Sequence, residues 1–204
     1  MRLTGKTAIV TGGASGFGAG ITRRFLQEGA RVMIADINGE AARQFAIEMG
    51  DHATAHTVDV GDGASVNDMA QAANDLWGHV DIMVNNAGVT HLPAAMEDVS
   101  EDDFDRVIAV NAKSVYLTAR HFVPAMRERG QGCILNVAST AGESPRPRLS
   151  WYNASKGWMI TATRSMAVEL AADGIRVNAL NPVAGRCRTG RPDCASPVRR
   201  ARVP

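Results

Sequence analysis

Cysteine and long apolar runs are scarce in this chain, and each scarcity excludes something. Only three of its 204 residues are cysteine. Cys133, Cys187 and Cys194 form neither a metal-ligand spacing nor a disulfide framework. The five histidines, His52, His56, His79, His91 and His121, do not cluster as ligands either, so no metal is expected. No apolar run approaches the roughly 18 residues that a membrane span needs. The opening Met1-Arg2-Leu3-Thr4-Gly5-Lys6 runs straight into a short apolar stretch, unlike a secretory signal. A reducing, cytoplasmic location is the expectation. Formal net charge is +1, so no excess of one sign marks the chain for nucleic acid or a membrane surface. Charge is nevertheless uneven: residues 186–204 hold six of the 22 Lys and Arg residues and one of the 21 acids.

What is present is a regular alternation. Hydrophobic residues make up 45% and charged residues 21%, the profile of a folded soluble protein, and the length suits one domain. Short apolar runs at residues 7–10, 32–35, 54–58, 82–84, 133–137 and 175–180 read as strands. Helical periods run through Ile21, Phe25 and Leu26 to a capping Gly29, and over residues 39–49, 64–76, 104–126 and 151–172. Such alternation predicts an α/β fold, a doubly wound parallel sheet with helices on both faces. Ligands bind such sheets beyond the carboxyl ends of the strands. Asp36, Asp59, Asn85 and Ser139 fall at or just past those ends. Trp77, Phe122, Trp158 and Met159 stand at helical spacing and are expected to pack, and Cys133 to be a buried strand residue.

Three stretches carry chemistry. Thr11-Gly12-Gly13-Ala14-Ser15-Gly16-Phe17-Gly18 lies between the first strand and the first helix. Glycines there let the backbone approach a pyrophosphate, and the helix N-terminus offers free N–H groups. The same residues also suit an ordinary tight turn. Asp36 ends the second strand, 18 residues beyond Gly18. A carboxylate there accepts both hydroxyls of an adenosine ribose and repels a 2′-phosphate, which argues for NAD over NADP. It also suits a helix N-cap. Finally, Tyr152 and Lys156 stand four residues apart, on one face of a helix. A phenol ionises at about pH 10 in water. A nearby ammonium favours the phenolate, so the pair can exchange a proton with an alcohol or a carbonyl. Alone, the spacing equally describes a surface helix with one aromatic and one solvated cation.

In order and spacing, Thr11-Gly12-x-x-x-Gly16-x-Gly18, Asp59-Val60, Asn85-Asn86-Ala87-Gly88, Asn111, Ser139, Tyr152-x-x-x-Lys156 and Asn181-Pro182 resemble the short-chain dehydrogenase/reductase family, over residues 3–185. The resemblance implies a Rossmann-like NAD(P)-binding domain at residues 1–185. It implies that Tyr152 is the acid/base and that Lys156 lowers its pKa and bonds the nicotinamide ribose. Ser139 would hold the substrate carbonyl, and Asn111 would anchor a water that relays protons from Lys156. Gly12, Ser15, Gly16, Phe17 and Gly18 would form the pyrophosphate turn, with Asp36 on the ribose. Asp59 and Val60 would bracket the adenine. Asn86, Ala87 and Gly88, with Pro182 and Val183, would complete the cofactor site. The implied activity is an NAD-dependent interconversion of a secondary alcohol and a ketone, as in 3-oxoacyl-carrier-protein reductases or sugar dehydrogenases. The implied partners are a small-molecule substrate and further copies of the chain, as a homodimer or higher oligomer. The loop 144–148, with Pro145, Arg146, Pro147 and Arg148, borders the expected cleft. Its arginines can meet an acidic substrate or belong to a solvated loop. His91 and Leu92 are further candidates for the cleft wall.

The family pattern ends at Asn181-Pro182-Val183-Ala184-Gly185, and Cys187 stands where members place a threonine. Residues 186–204 have no hydrophobic period and read as an atypical, basic, disordered tail. One reading is an aberrant, out-of-frame terminus; the other is a basic segment for an acidic partner. The first leaves the sheet without its last strand and the sixth strand as an open edge. It also removes the substrate lid and one tetramer contact, while a dimer interface built from helices near 104–127 and 151–172 survives. Under it the alternative function is an impaired nucleotide-binding remnant.

Overall fold

The structure, a computed structural model, describes residues 1–183. The expectations for Cys187 and for the tail at 186–204 lie outside the described residues. Six strands, β1 (Thr7–Thr11), β2 (Arg31–Asp36), β3 (Ala53–Thr57), β4 (Ile82–Asn85), β5 (Gly132–Val137) and β6 (Ile175–Leu180), form one sheet in the order β3-β2-β1-β4-β5-β6. Every pairing is parallel. The connecting helices are α1 (Gly16–Gln27), α2 (Gly39–Met49), α3 (Gly63–Trp77), α4 (Glu101–Ile108), α5 (Ser114–Glu128) and α6 (Ser150–Leu170). Among the described residues β6 pairs with β5 alone. No described helix is long and apolar enough to cross a membrane, and no described His, Cys, Asp and Glu side chains gather as metal ligands.

Side-chain alternation along each strand feeds two cores. Ile9, Met33, Met83, Ile134 and Val177 pack with Val66 and Met69 of α3 and Phe122 and Met126 of α5. Ala8, Val10, Val32, Val84 and Val137 face the other way, against Ile21, Phe25 and Leu26 of α1. Local capping starts the helices where the sequence supplies a short polar side chain. Asn38 accepts from Ala41 N, Asp62 from Ala64 N and Ser65 N, and Ser100 from Asp103 N. The N-cap of α2 is therefore Asn38, which frees Asp36 from that role.

The structure corrects two expectations from periodicity. The helix expected over 104–126 is interrupted by a π turn, Ala109–Lys113, which separates α4 from α5. Asn111 sits in that wide turn with its side chain wholly buried and bonded across to Val89. Trp158, expected to pack, is 45% exposed on the outer face of α6, whereas Met159 and Phe122 are buried and Trp77 is packed partly against the core. Cys133 is half-buried in β5.

At the opposite end of the sheet from the glycine turn, Asp81 ties β4 to β1 and α5. Its carboxylate accepts from Thr7 N at 3.0 Å and from Arg129 at 2.7 Å, with Lys6 Nζ at 3.4 Å. Burial alone raises its pKa, but the Thr7 and Arg129 hydrogen bonds and the Lys6 charge overcome this and bring it to about 2. A depressed carboxylate pKa stabilises the fold above the unfolded value near 3.8, and the gain is lost as pH falls toward 2. Asp81→Asn is expected to cost about 2 kcal/mol at neutral pH. Melts at descending pH check this: the gap to the parent chain must narrow between about pH 4 and pH 2.

Candidate active site

The chain reverses direction across the sheet between β1 and β4, and the carboxyl ends of these strands open a crevice. The turn after β1 lies against the segment after β4. Asn86 Nδ2 donates to Thr11 O at 2.8 Å and Gly12 O at 3.1 Å, while Thr11 Oγ1 accepts from Asn86 N and Ala87 N. Gly12 has φ +58, and a Cβ there would stand 3.1 Å from Ala87 Cα. A Cβ on Gly18 would overlap the Gly12 carbonyl oxygen and crowd Asn86 Nδ2. These contacts leave a narrow backbone cradle before α1. Gly18→Ala is accordingly expected to lower stability by about 1–3 kcal/mol through overpacking, read as a fall in melting midpoint.

The cradle fits a dinucleotide pyrophosphate. Ser15, Gly16 and Phe17 are exposed at the start of α1, and the Ser15 hydroxyl makes no capping bond, so the first N–H groups face outward unclaimed. Asp36 borders the cradle: its carboxylate accepts from Ala14 N and from Asn38 N, each at 3.1 Å. Two carboxylate oxygens retain further acceptor capacity after those bonds. Farther along, Asp59 is exposed and holds Gly61 N at 2.8 Å, while the Val60 side chain is packed in the core.

The second half of the site gathers around Gly88. A Cβ at Gly88 would stand 3.2 Å from Lys156 Nζ and 3.4 Å from Asn111 Oδ1, so the three residues meet. Asn111 receives Val89 N at 2.9 Å and donates to Val89 O at 2.8 Å and Ser155 Oγ at 2.9 Å. Ser155 in turn donates to Tyr152 O at 2.7 Å. Lys156 is 4% exposed, and its ammonium donates to Val137 O at 2.9 Å. Burial pulls its pKa down to about 8. Tyr152, one helical turn away, is half-buried, and its hydroxyl bonds to no other described residue. Ser139 follows β5 and is buried, its Oγ accepting from Ala141 N at 3.1 Å. Pro182 O accepts from Thr140 N at 3.4 Å, which brings Pro182 beside this turn; Val183 is exposed.

Sequence reasoning missed the supports of this arrangement. Thr11 and Ser155 are hydroxyls that orient the named residues. Beneath them runs a buried chain: Thr118 Oγ1 donates to Asn85, Asn85 Nδ2 to Asn136, and Asn136 Nδ2 to Thr163, each within 2.9 Å. The available signal was an asparagine in each of two otherwise apolar strands. Of the outlying candidates, His91 is buried and Leu92 is exposed.

A doubly wound parallel sheet, with a glycine turn at its switch point and a Tyr–Lys helix alongside, is the Rossmann-like architecture of an oxidoreductase. Residues 6–191 match the family model described as short chain dehydrogenase, and the chain belongs to that family. It is 46% identical over 188 residues to 4-formylbenzenesulfonate dehydrogenase TsaC1/TsaC2 of Comamonas testosteroni, covering 91% of this chain and 75% of that protein. Sorbitol dehydrogenase of Cereibacter sphaeroides is 40% identical over 183 residues, covering 89% and 71% respectively. Among solved structures, 3-ketoacyl-(acyl-carrier-protein) reductase from Brucella melitensis, complexed with NADH, aligns with TM-score 0.88 and 47% identity, covering 89% of this chain and 76% of that one.

Proposed function

We propose that this chain binds NAD in preference to NADP and interconverts a secondary alcohol and a ketone, with Tyr152 as the proton donor and acceptor. One observation carries the reading: a buried lysine, unpaired with any described carboxylate, stands with Asn111 over Gly88, one helical turn from a tyrosine whose hydroxyl is free among the described residues. When bound, the nicotinamide supplies or accepts the hydride. The chain's own residues then divide the remaining work. Tyr152 exchanges the proton with the substrate oxygen, and Lys156 supplies the positive charge that a phenolate requires. Ser139 retains its O–H to donate to that oxygen. Asn111 holds the Gly88–Val89 backbone and Ser155 in place. Gly12, Ser15, Gly16, Phe17 and Gly18 receive the pyrophosphate; Asn86, Ala87, Gly88, Pro182 and Val183 flank the crevice beyond it. Asp59 and the Val60 backbone border the adenine.

Asp36 supports the preference for NAD. Its carboxylate is fixed at the cradle by Ala14 N and Asn38 N, where a 2′-phosphate would meet a like charge. The NADH in the Brucella melitensis reductase agrees with this. Exposed Tyr116, Trp158 and Val168 on α5 and α6 support association of two copies through these helices. The testing experiment is a melt of the full chain with millimolar NAD or NADP, followed by turnover of a panel of secondary alcohols. A midpoint raised by NAD and not by NADP, with NADH formed, is the expected result. Equal shifts would overturn the Asp36 assignment, and a shift without turnover would leave a nucleotide-binding protein that is not a dehydrogenase.

A further inference from the structure

We propose that Thr163 is a positioning residue for the reaction: through a buried, one-way chain of hydrogen bonds it fixes the register of α6, and with it Lys156 and Tyr152, against the strand ends beside Gly88. The consequence for turnover rests on the chemistry assigned to Tyr152 above; the placement of Lys156 does not.

The chain begins on α5 and ends on α6. Thr118 Oγ1 donates to Asn85 Oδ1 at 2.9 Å and also stands 3.1 Å from Val115 O. Asn85 Nδ2 donates to Asn136 Oδ1 at 2.8 Å, Asn136 Nδ2 to Thr163 Oγ1 at 2.9 Å, and Thr163 Oγ1 to Met159 O at 2.7 Å. Asn85 and Asn136 are register partners near the carboxyl ends of β4 and β5. The direction of the chain is set from its α6 end. A carbonyl only accepts, so the single proton of Thr163 goes to Met159 O, and the hydroxyl can only receive from Asn136. That turns the Asn136 oxygen toward Asn85 and the Asn85 oxygen toward Thr118. All these side chains are buried, and each of their oxygen and nitrogen atoms has a partner.

The elements joined by this chain are those that meet at the site. Lys156 of α6, Gly88 beyond β4 and Asn111 before α5 gather at the crevice. Thr163 lies seven residues after Lys156, and Thr118 seven after Asn111, about two helical turns along in each case. Thr163 therefore shares a face with Lys156. β5 holds that face at two points, Asn136 on Thr163 and Val137 O on Lys156 Nζ. Cohesion does not require a polar chain here. Buried partners can be exchanged together for apolar groups of the same shape at little cost, and the neighbouring Met83, Val84, Ile134 and Met159 are already apolar and buried. Apolar contacts let a helix shift as side chains repack, whereas a saturated polar network admits one register. Register matters at this place because a displacement of about 1 Å at a reacting group costs on the order of 10²-fold in rate.

Thr163→Val keeps the branched shape and removes the hydroxyl. It is expected to lower kcat about tenfold or more with a turned-over alcohol. It is also expected to raise the Lys156 pKa, read by NMR at the ε-methylene, from about 8 toward 10.5 as the ammonium gains water. Thr163→Ser keeps the hydroxyl and loses a methyl group; its melting midpoint should fall by several degrees while kcat and the Lys156 titration stay with the parent. A threonine that served stability alone would lower the midpoint in both variants and move neither of the other readouts. Thr118→Val opens the chain at its α5 end and carries the same expectations as Thr163→Val, so they stay measurable if the latter folds too poorly to assay. Parent-like kcat and Lys156 titration in the valine variants would overturn the proposal, as would a Thr163→Ser chain that moves with Thr163→Val. A parent without turnover would fail the dehydrogenase reading alone, because the Lys156 titration still reports whether the chain positions the ammonium.

Discussion

Tyr152→Phe is expected to lower kcat by about 10²–10⁴-fold while the NAD-induced rise in melting midpoint persists. The substitution removes one oxygen from a half-buried ring whose hydroxyl bonds to no described residue. No described partner is left unsatisfied, so the fold has little reason to weaken. Tyr152 nevertheless sits at the centre of the proposed proton exchange, and phenylalanine has no proton to give. The cradle is built by other residues: Thr11, Asn86 and Gly18 meet at the turn without any contribution from the tyrosine hydroxyl. Binding and chemistry should therefore separate in this variant. Steady-state rates with a turned-over alcohol, paired with melts in NAD, make the comparison. A variant that retains most of the parent kcat would remove Tyr152 from the reaction. One that also loses the NAD shift would assign it a role in building the nucleotide site.

The elements that were legible in the sequence were those whose signal is local. A fully buried parallel strand is a short apolar run, and all six runs became strands with ends displaced by a residue or so. The glycine turn and the Tyr–Lys spacing likewise depend on neighbours along the chain. Contacts made across the chain left no such mark. Asn111 falls inside an unbroken helical period, because one inserted residue widens a single turn without erasing the pattern on either side. The polar chain from Thr118 through Asn85 and Asn136 to Thr163 requires knowing that β4 and β5 are neighbours and which helices cover them. Asp36 was ambiguous between ribose acceptor and helix cap. Only the placement of Asn38 against Ala41 N settles which residue caps α2. Trp158 shows the converse: α6 is apolar on more than one face, so periodicity could not say which face the sheet would take.

Lys156→Met should produce the opposite pattern to most buried substitutions: at least about 10²-fold less turnover in a fold no less stable than the parent. The ammonium lies 4% exposed beside Gly88 and Asn111, has a carbonyl for a partner and meets no described carboxylate. Its desolvation moves the pKa from 10.5 to about 8. That displacement corresponds to roughly 3 kcal/mol of stability forgone at neutral pH, where both folded and unfolded chains hold the proton. Methionine fills similar space without the charge. It leaves Val137 O without its donor, a cost of about 1–3 kcal/mol, so the balance lies between neutrality and a gain of about 2 kcal/mol. The sign with pH is fixed by the same displacement. Between about pH 8 and pH 10.5 the unfolded chain holds more protons than the folded one, so the parent gains stability as pH rises. The methionine variant has no such dependence at this position. Denaturant melts at pH 7 and pH 10 should accordingly show its advantage shrinking or reversing in sign, and a gap that stayed constant would mean that the ammonium is not desolvated in the fold. A lysine that weakens the fold where it stands, over the glycine at the mouth of the crevice, accords with the role proposed for it beside Tyr152.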